Sequence, residues 1–204
     1  MKELLRFSEI IEQEIGKLSY PKYPKSLYKP IQYIMGLQGK RMRPILVLMA
    51  HQLFNENVDS AISPAIALEL FHNFTLLHDD IMDNAPLRRG NPTVHEKWNQ
   101  NTAILSGDVM MIQAYQQLAK VDSYLKEILD VFNKMAVKVC EGQQWDMDFE
   151  NRKDVTLSEY MKMIEYKTAV LMAASLKIGS ITGGASKVEQ NHLYNFGLNM
   201  GIAF

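Results

Sequence analysis

Apolar residues recur at helical spacing along nearly the whole chain, and no stretch alternates convincingly as a strand would. Leu4, Phe7, Ile11, Ile15 and Leu18 step by threes and fours, which places them on one face of a helix. Two prolines within Tyr20–Pro24 stop that helix, because proline lacks the amide hydrogen and its ring clashes with the preceding turn. A second helix is expected over Lys25–Met35, followed by a loop between Gly36 and Gly39. Pro44 suits the first turn of a third helix reaching Phe54. After a loop at Asn55–Ser60, Ser63-Pro64 reads as cap and first position of a long helix ending near Asp83. Asn84–Pro92 is a polar loop. Further helices are expected at Ala103–Ala119, Ser123–Phe149, Ser158–Ile181 and Lys187–Phe204. The expected fold is all-α, a single domain over residues 1–204 built from long helices, with no linker and no short repeat.

Composition narrows the function classes. A formal net charge of -1 supplies no global field for nucleic acid. With one cysteine, Cys140, no intramolecular disulfide can form, which suits a reducing cytoplasm. Acids interrupt the apolar runs of the opening MKELLRFSEIIEQEI, so it reads as neither a secretory signal nor a transmembrane segment. The expectation is a cytoplasmic protein without a membrane span.

The charges that resist a structural explanation lie at helix ends. Asp79 and Asp83 are four apart, on one helix face, beside Asp80. At about 6 Å and an effective dielectric near 20, two such carboxylates repel by roughly 3 kcal/mol. They also sit at the C-terminal end of their helix, where the dipole favours cations. A divalent cation would relieve both, and Mg²⁺, which keeps its waters and accepts substrate phosphates, suits an all-oxygen site. The bland alternative is a solvated acidic helix end. The converse misplacement occurs at Lys40, Arg41 and Arg43, which crowd a helix N-terminus, and Arg88-Arg89 follows the acids directly. A bound diphosphate would suit both basic clusters; the alternative is a basic surface patch. His72 lies seven residues before Asp79, on nearly the same face. Gln143 and Asp146 share a face with Glu150. Lys167-Thr168 interrupts an apolar run, and a buried lysine there needs a partner.

Taken together, QGKRMRP (38–44), FHNFTLLHDDIMD (71–83), LRRGNPTVH (87–95), AILSGDVM (103–110), GQQWD (142–146) and EYKTAVLMAAS (165–175) resemble the polyprenyl (isoprenyl) diphosphate synthase family, short-chain farnesyl/geranylgeranyl type. They run in the family's order and cover essentially the whole chain. One small departure is Gln38, where the family often has a further glycine before Gly39 and Lys40. The resemblance implies an isoprenoid synthase-type helical bundle and a Mg²⁺-dependent prenyltransferase that joins isopentenyl diphosphate to an allylic diphosphate. Asp79 and Asp83 would hold Mg²⁺ against the allylic diphosphate, with Asp80 supporting. Arg88, Lys167 and Thr168 would contact the allylic diphosphate. Lys40, Arg43, His72 and Arg89 would hold isopentenyl diphosphate. Gln143 and Asp146 would line the same cavity, while Asp108 matches a family position without an evident role.

The implied reaction starts with loss of the allylic diphosphate and continues with attack by the isopentenyl double bond. Proton loss to the released diphosphate ends it. Phe74, five residues before Asp79 and therefore about 7.5 Å down the helix axis, would form the floor that limits product length, with the smaller Thr75 beside it. A farnesyl- or geranylgeranyl-length product is the expectation. The family also carries a second aspartate-rich motif after a phenylalanine–glutamine pair, and Phe204 falls where that phenylalanine would stand. On this reading the helices are incomplete at the C-terminus, and the chain alone has weak or no activity. The rival readings are a non-catalytic diphosphate-binding partner subunit, a terpene cyclase-like protein, which would not need Lys40, Arg43 and His72, and a phosphohydrolase with His78 and Asp79 as its metal pair, which would need further histidines in helical register. A homodimer is expected from the resemblance.

Overall fold

The structure is a computed structural model of the chain and describes residues 2–204. It is all-α, as the periodicity predicts. Helix α1 (Lys2–Gly16) buries Phe7 and Ile11, and α2 (Lys25–Gly36) buries Ile31, Ile34 and Met35. Helix α3 (Met42–Gln52) is apolar on almost every side and carries Pro44 in its first turn. Helix α4 spans Asp59–Met82, about 36 Å at the standard rise.

Helix α4 starts four residues ahead of Ser63, contrary to the expected cap. The Asn57 side chain accepts the Asp59 amide at 3.0 Å, and Val58 and Ala61 are buried. An Asx-type start therefore captures the segment that the polar composition suggested was loop, and Pro64 falls in the helix's second turn. The polar loop after α4 likewise holds more order than its composition implied. Leu87–Arg88 (β1) and Asn91–Pro92 (β2) form a two-residue antiparallel ribbon, and a short helix α5 follows at Val94–Lys97. Helix α6 (Gln100–Leu118) is capped by Asn99, whose side chain accepts from Thr102.

Helix α7 runs over Leu125–Glu150. Helix α8 (Leu157–Ile164) opens on a capping box in which Thr156 and Glu159 satisfy each other's backbone amides. The long helix expected over Ser158–Ile181 is interrupted at Glu165–Ala169 by a π turn, then continues as α9 (Val170–Gly183). Helix α10 (Lys187–Ala203) opens on a second capping box, Ser186 with Glu189.

The chain gathers into two compact units. One comprises the residues up to Met42 with Ile66–Lys120; the other comprises Arg43–Ala65 with Val121–Phe204. In the first, α2 packs on α6, and Ser106 donates to Leu27 O at 3.0 Å. Its buried residues include Phe7, Ile31, Phe71, Leu77 and Met110. In the second, α7, the π turn, α9 and α10 pack together. Leu46, Ala50, Met172 and Leu176 form a buried cluster there, joined by Leu193 and Met200. Among the described residues, no helix is long and apolar enough to cross a membrane.

Candidate functional site

In the first unit, the end of α4 is shaped by a turn that the sequence half reveals. Asn84 takes a left-handed φ of 47°, with Ala85 N bonded to Asp80 O (2.9 Å) and Asn84 N to Ile81 O (3.2 Å). This is the paired bonding of a Schellman cap, with asparagine where glycine usually stands. The cap turns the chain back so that the β ribbon delivers Arg88 to the acids. Arg88 Nε donates to Asp80 Oδ1 at 2.9 Å, and its Nη2 reaches the same oxygen. Asp80 is 1% exposed. Burial pushes its carboxyl up, against the opposing pull of the Arg88 hydrogen bonds and charge.

The three acids therefore separate in role. Asp80 is a buried anchor for Arg88, Asp79 is half-buried and Asp83 is exposed. The α4 backbone carries Asp79 and Asp83 one turn apart, with Asp83 N bonded to Asp79 O at 2.8 Å. No group of three or more His, Cys, Asp or Glu is arranged around a common point among the described residues. Mg²⁺ commonly takes one or two carboxylates and completes its shell with water and substrate phosphates. The donor set at Asp79 and Asp83 fits that ion and not one requiring an all-protein cage.

Arg88 and Arg89, adjacent in sequence, diverge. Arg89 (φ 53°) and Gly90 (φ 76°) occupy the ribbon's turn, where a two-residue hairpin calls for left-handed conformations. The Arg89 guanidinium lies against the bare backbone of Gly39, where a Cβ would stand 2.6 Å from Nη1, and it donates to Leu37 O at 3.3 Å. Burial against this loop, and then the charge of Arg41, push the Arg89 guanidinium down; an anion would relieve both. Lys40, next to Gly39, is exposed and forms no ion pair among the described residues. The Arg89 guanidinium therefore lies against the residue that precedes Lys40 in the chain.

Arg41 does not join them. It is 4% exposed, in a left-handed conformation (φ 44°), and donates to Glu12 Oε1 (2.8 Å), Glu69 Oε1 (2.7 Å), Met35 O (2.7 Å) and Leu37 O (3.1 Å). Of the three cations crowding α3's start, one is a structural bolt turned inward. His72 is half-buried on α4, and its carbonyl accepts the Thr75 hydroxyl at 2.8 Å. Phe74 is half-buried with its ring 4.7 Å from that of His78.

The second unit holds the other candidates. The π turn contains Lys167 and Thr168, and such turns recur where function demands an altered helix register. It rests on Gly142 of α7, where a Cβ would stand 2.3 Å from Lys167 N and 2.8 Å from Tyr166 C. Trp145 stacks on Tyr166 with centroids 5.0 Å apart. Lys167 Nζ donates to Asp146 Oδ2 at 2.5 Å. The lysine is only half-buried and already has a carboxylate partner, so the need inferred from its apolar neighbours is met within the protein. Gln143 is buried, Thr168 half-buried and Glu150 exposed. Arg43 opens this unit on the first turn of α3. No sequence signal anticipated the π turn; the close contact at Gly142 is its visible counterpart.

The chain is similar to known proteins in sequence and in fold. The family sequence model described as Polyprenyl synthetase matches residues 24–204. The chain belongs to the polyprenyl synthetase family. Among its relatives, the geranylgeranyl diphosphate synthase of Methanosarcina mazei is 43% identical over 99% of this chain and 63% of its own length. The short chain isoprenyl diphosphate synthase of Methanothermobacter thermautotrophicus is 40% identical over 100% of this chain, again 63% of its own length. Among solved polyprenyl synthetase structures, geranylgeranyl pyrophosphate synthetase from Pyrococcus horikoshii superposes with a TM-score of 0.93 at 38% identity, covering 99% of this chain and 64% of that one. The chain therefore spans a little under two thirds of the relatives it matches.

Proposed function

We propose that this chain carries the substrate-binding residues of a short-chain prenyltransferase, which condenses isopentenyl diphosphate with an allylic diphosphate to a farnesyl- or geranylgeranyl-length product. The observation that carries the reading is the division of labour at the end of α4. Asp80 is bonded to Arg88, while the α4 backbone carries Asp79 and the exposed Asp83 one turn apart. Relatives named as geranylgeranyl and short chain isoprenyl diphosphate synthases support the substrate class.

In this reading Asp79 and Asp83 hold Mg²⁺, which when bound supplies Lewis-acid stabilisation to a departing diphosphate. Arg88, kept in place by Asp80, presents its guanidinium to the same allylic diphosphate. Lys40 and Arg89, with His72 and Arg43, are assigned to isopentenyl diphosphate. Fixed cations that need no reorganisation favour the charge developing on a leaving group. Lys167 and Thr168 are assigned to the allylic diphosphate, with Asp146 holding the ammonium until an anion competes for it and Gln143 nearby on α7. The chain is read as cytoplasmic and as acting in a homodimer.

The test is incorporation of labelled isopentenyl diphosphate into longer prenyl diphosphates, with Mg²⁺ and a geranyl or farnesyl diphosphate primer. Weak Mg²⁺-dependent condensation by this chain, lost on Asp83→Asn and on chelation, is expected. Diphosphate binding without condensation would favour a partner subunit. Metal-dependent release of a cyclic hydrocarbon would favour a cyclase.

A further inference from the structure

Helix α4 carries three rings on successive turns leading up to Asp79. The Phe71 and Phe74 centroids are 5.7 Å apart, and Phe74 and His78 meet edge-on at 4.7 Å with an interplanar angle of 64°. Phe71 is fully buried, whereas Phe74 and His78 are half-buried. The top rung reaches across to α6. His78 Nε2 lies 3.3 Å from Ile104 O and 3.9 Å from Asp108 Oδ1. Gly107 makes the seat, since a Cβ there would fall 2.5 Å from His78 Nε2 and 2.8 Å from its Cδ2.

We infer that His78, seated on Gly107, is a specificity-determining residue that holds the Phe74 ring as the stop for a growing prenyl tail. The inference rests on the proposed prenyl transfer with the diphosphate at Asp79 and Asp83. A tail anchored there and running down α4 passes the level of His78 first and then meets Phe74, about 7.5 Å below Asp79. A half-buried phenylalanine can turn about its side-chain bonds, so it stops a tail only as well as its neighbours hold it. Phe71 supports the ring from beneath and His78 from above. Gly107 and the α6 carbonyl keep His78 in place, so the seat on α6 belongs to the ruler although it need not touch the tail. Asp108, 54% exposed at the side chain, stands beside the same imidazole.

The test uses binding and does not depend on turnover. Geranyl, farnesyl, geranylgeranyl and geranylfarnesyl thiolodiphosphates, which resist ionisation, are titrated calorimetrically with Mg²⁺. The proteins are wild type, Phe74→Ala, His78→Ala, His78→Phe, Gly107→Ala and the Phe74→Ala/His78→Ala double variant, each checked for folding by circular dichroism. Wild-type affinity is expected to drop about tenfold or more beyond one tail length. His78→Ala and Gly107→Ala should move that break one isoprene unit longer, as Phe74→Ala should. His78→Phe, which restores a ring, should keep the wild-type break. The double variant should move it no further than Phe74→Ala alone, because His78 acts through Phe74. Inorganic diphosphate should bind all of them equally. The inference is overturned if His78→Ala leaves the break in place, or if it weakens every tail and inorganic diphosphate alike. If the wild type binds no prenyl diphosphate at all, the proposed function falls and this inference with it. Binding with an unmoved break removes the inference alone.

Discussion

Replacing Gly142 by alanine tests how the π turn is held. The added methyl would sit 2.3 Å from Lys167 N and 2.8 Å from both Lys167 Cα and Tyr166 C. These are backbone atoms that no rotamer change can move, and relief requires the turn to back away from α7 by roughly 1 Å. Overpacking of this kind costs about 1–3 kcal/mol, which for a chain of this size corresponds to a fall in Tm of roughly 2–12 °C. The movement also draws Lys167 away from Asp146, now 2.5 Å distant. Gly36→Ala is the internal control, because a Cβ there meets nothing within 4 Å, and it should shift Tm little or upward. Thermal unfolding of both variants by circular dichroism decides the matter. If Gly142→Ala melts within a degree or so of Gly36→Ala, the π turn is not packed on α7 as described and its role in aiming Lys167 fails.

Arg41→Met should destabilise by about 3–5 kcal/mol, since it leaves Glu69, itself 2% exposed, buried without its cation; Arg41→Met with Glu69→Leu should recover part of that in urea unfolding. Burial pushes the Tyr20 phenol from 10.0 up to about 12, and its hydroxyl has no hydrogen-bond partner among the described residues. The folded state therefore holds this proton where the unfolded chain loses it, so stability falls as pH rises between those values. Tyr20→Phe should remove that share of the alkaline loss, read as Tm against pH. Hydrogen bonds from Thr156 and Arg152 draw Glu159 from 4.5 down to about 2. Its stabilisation of the α8 start is present above 4.5 and lost as pH falls toward 2, and Glu159→Gln should flatten that acid limb.

The long helices were legible because their periodicity is set by burial on one face, as Phe7 and Ile11 of α1 illustrate. The acids at the end of α4 were legible because two local rules fail there together. What stayed hidden depends on contacts distant in sequence. Nothing around Lys40–Arg43 distinguishes Arg41 as the inward cation, because Glu12 and Glu69, its partners, lie 29 and 28 residues away. The π turn reads as ordinary helix because its cause is Gly142, on another helix. The start of α4 was misplaced for the opposite reason: Ser63-Pro64 is a good local signal overridden by the Asn57 turn and the burial of Ala61. The sequence set Asp80 apart from Asp79 and Asp83 as a supporting acid but could not show its partner, because the Schellman turn at Asn84 is what returns Arg88 to it.

The central claim is that Asp79 and Asp83 grip a diphosphate through a divalent cation while Asp80 serves Arg88. Calorimetric titration of inorganic diphosphate, with and without Mg²⁺, into wild type, Asp79→Asn, Asp83→Asn and Asp80→Asn tests it most directly. The account predicts Mg²⁺-dependent binding by the wild type that Asp79→Asn and Asp83→Asn abolish. Asp80→Asn should weaken binding without removing its dependence on the metal. Binding that ignores Mg²⁺, or that survives Asp79→Asn or Asp83→Asn, would contradict it.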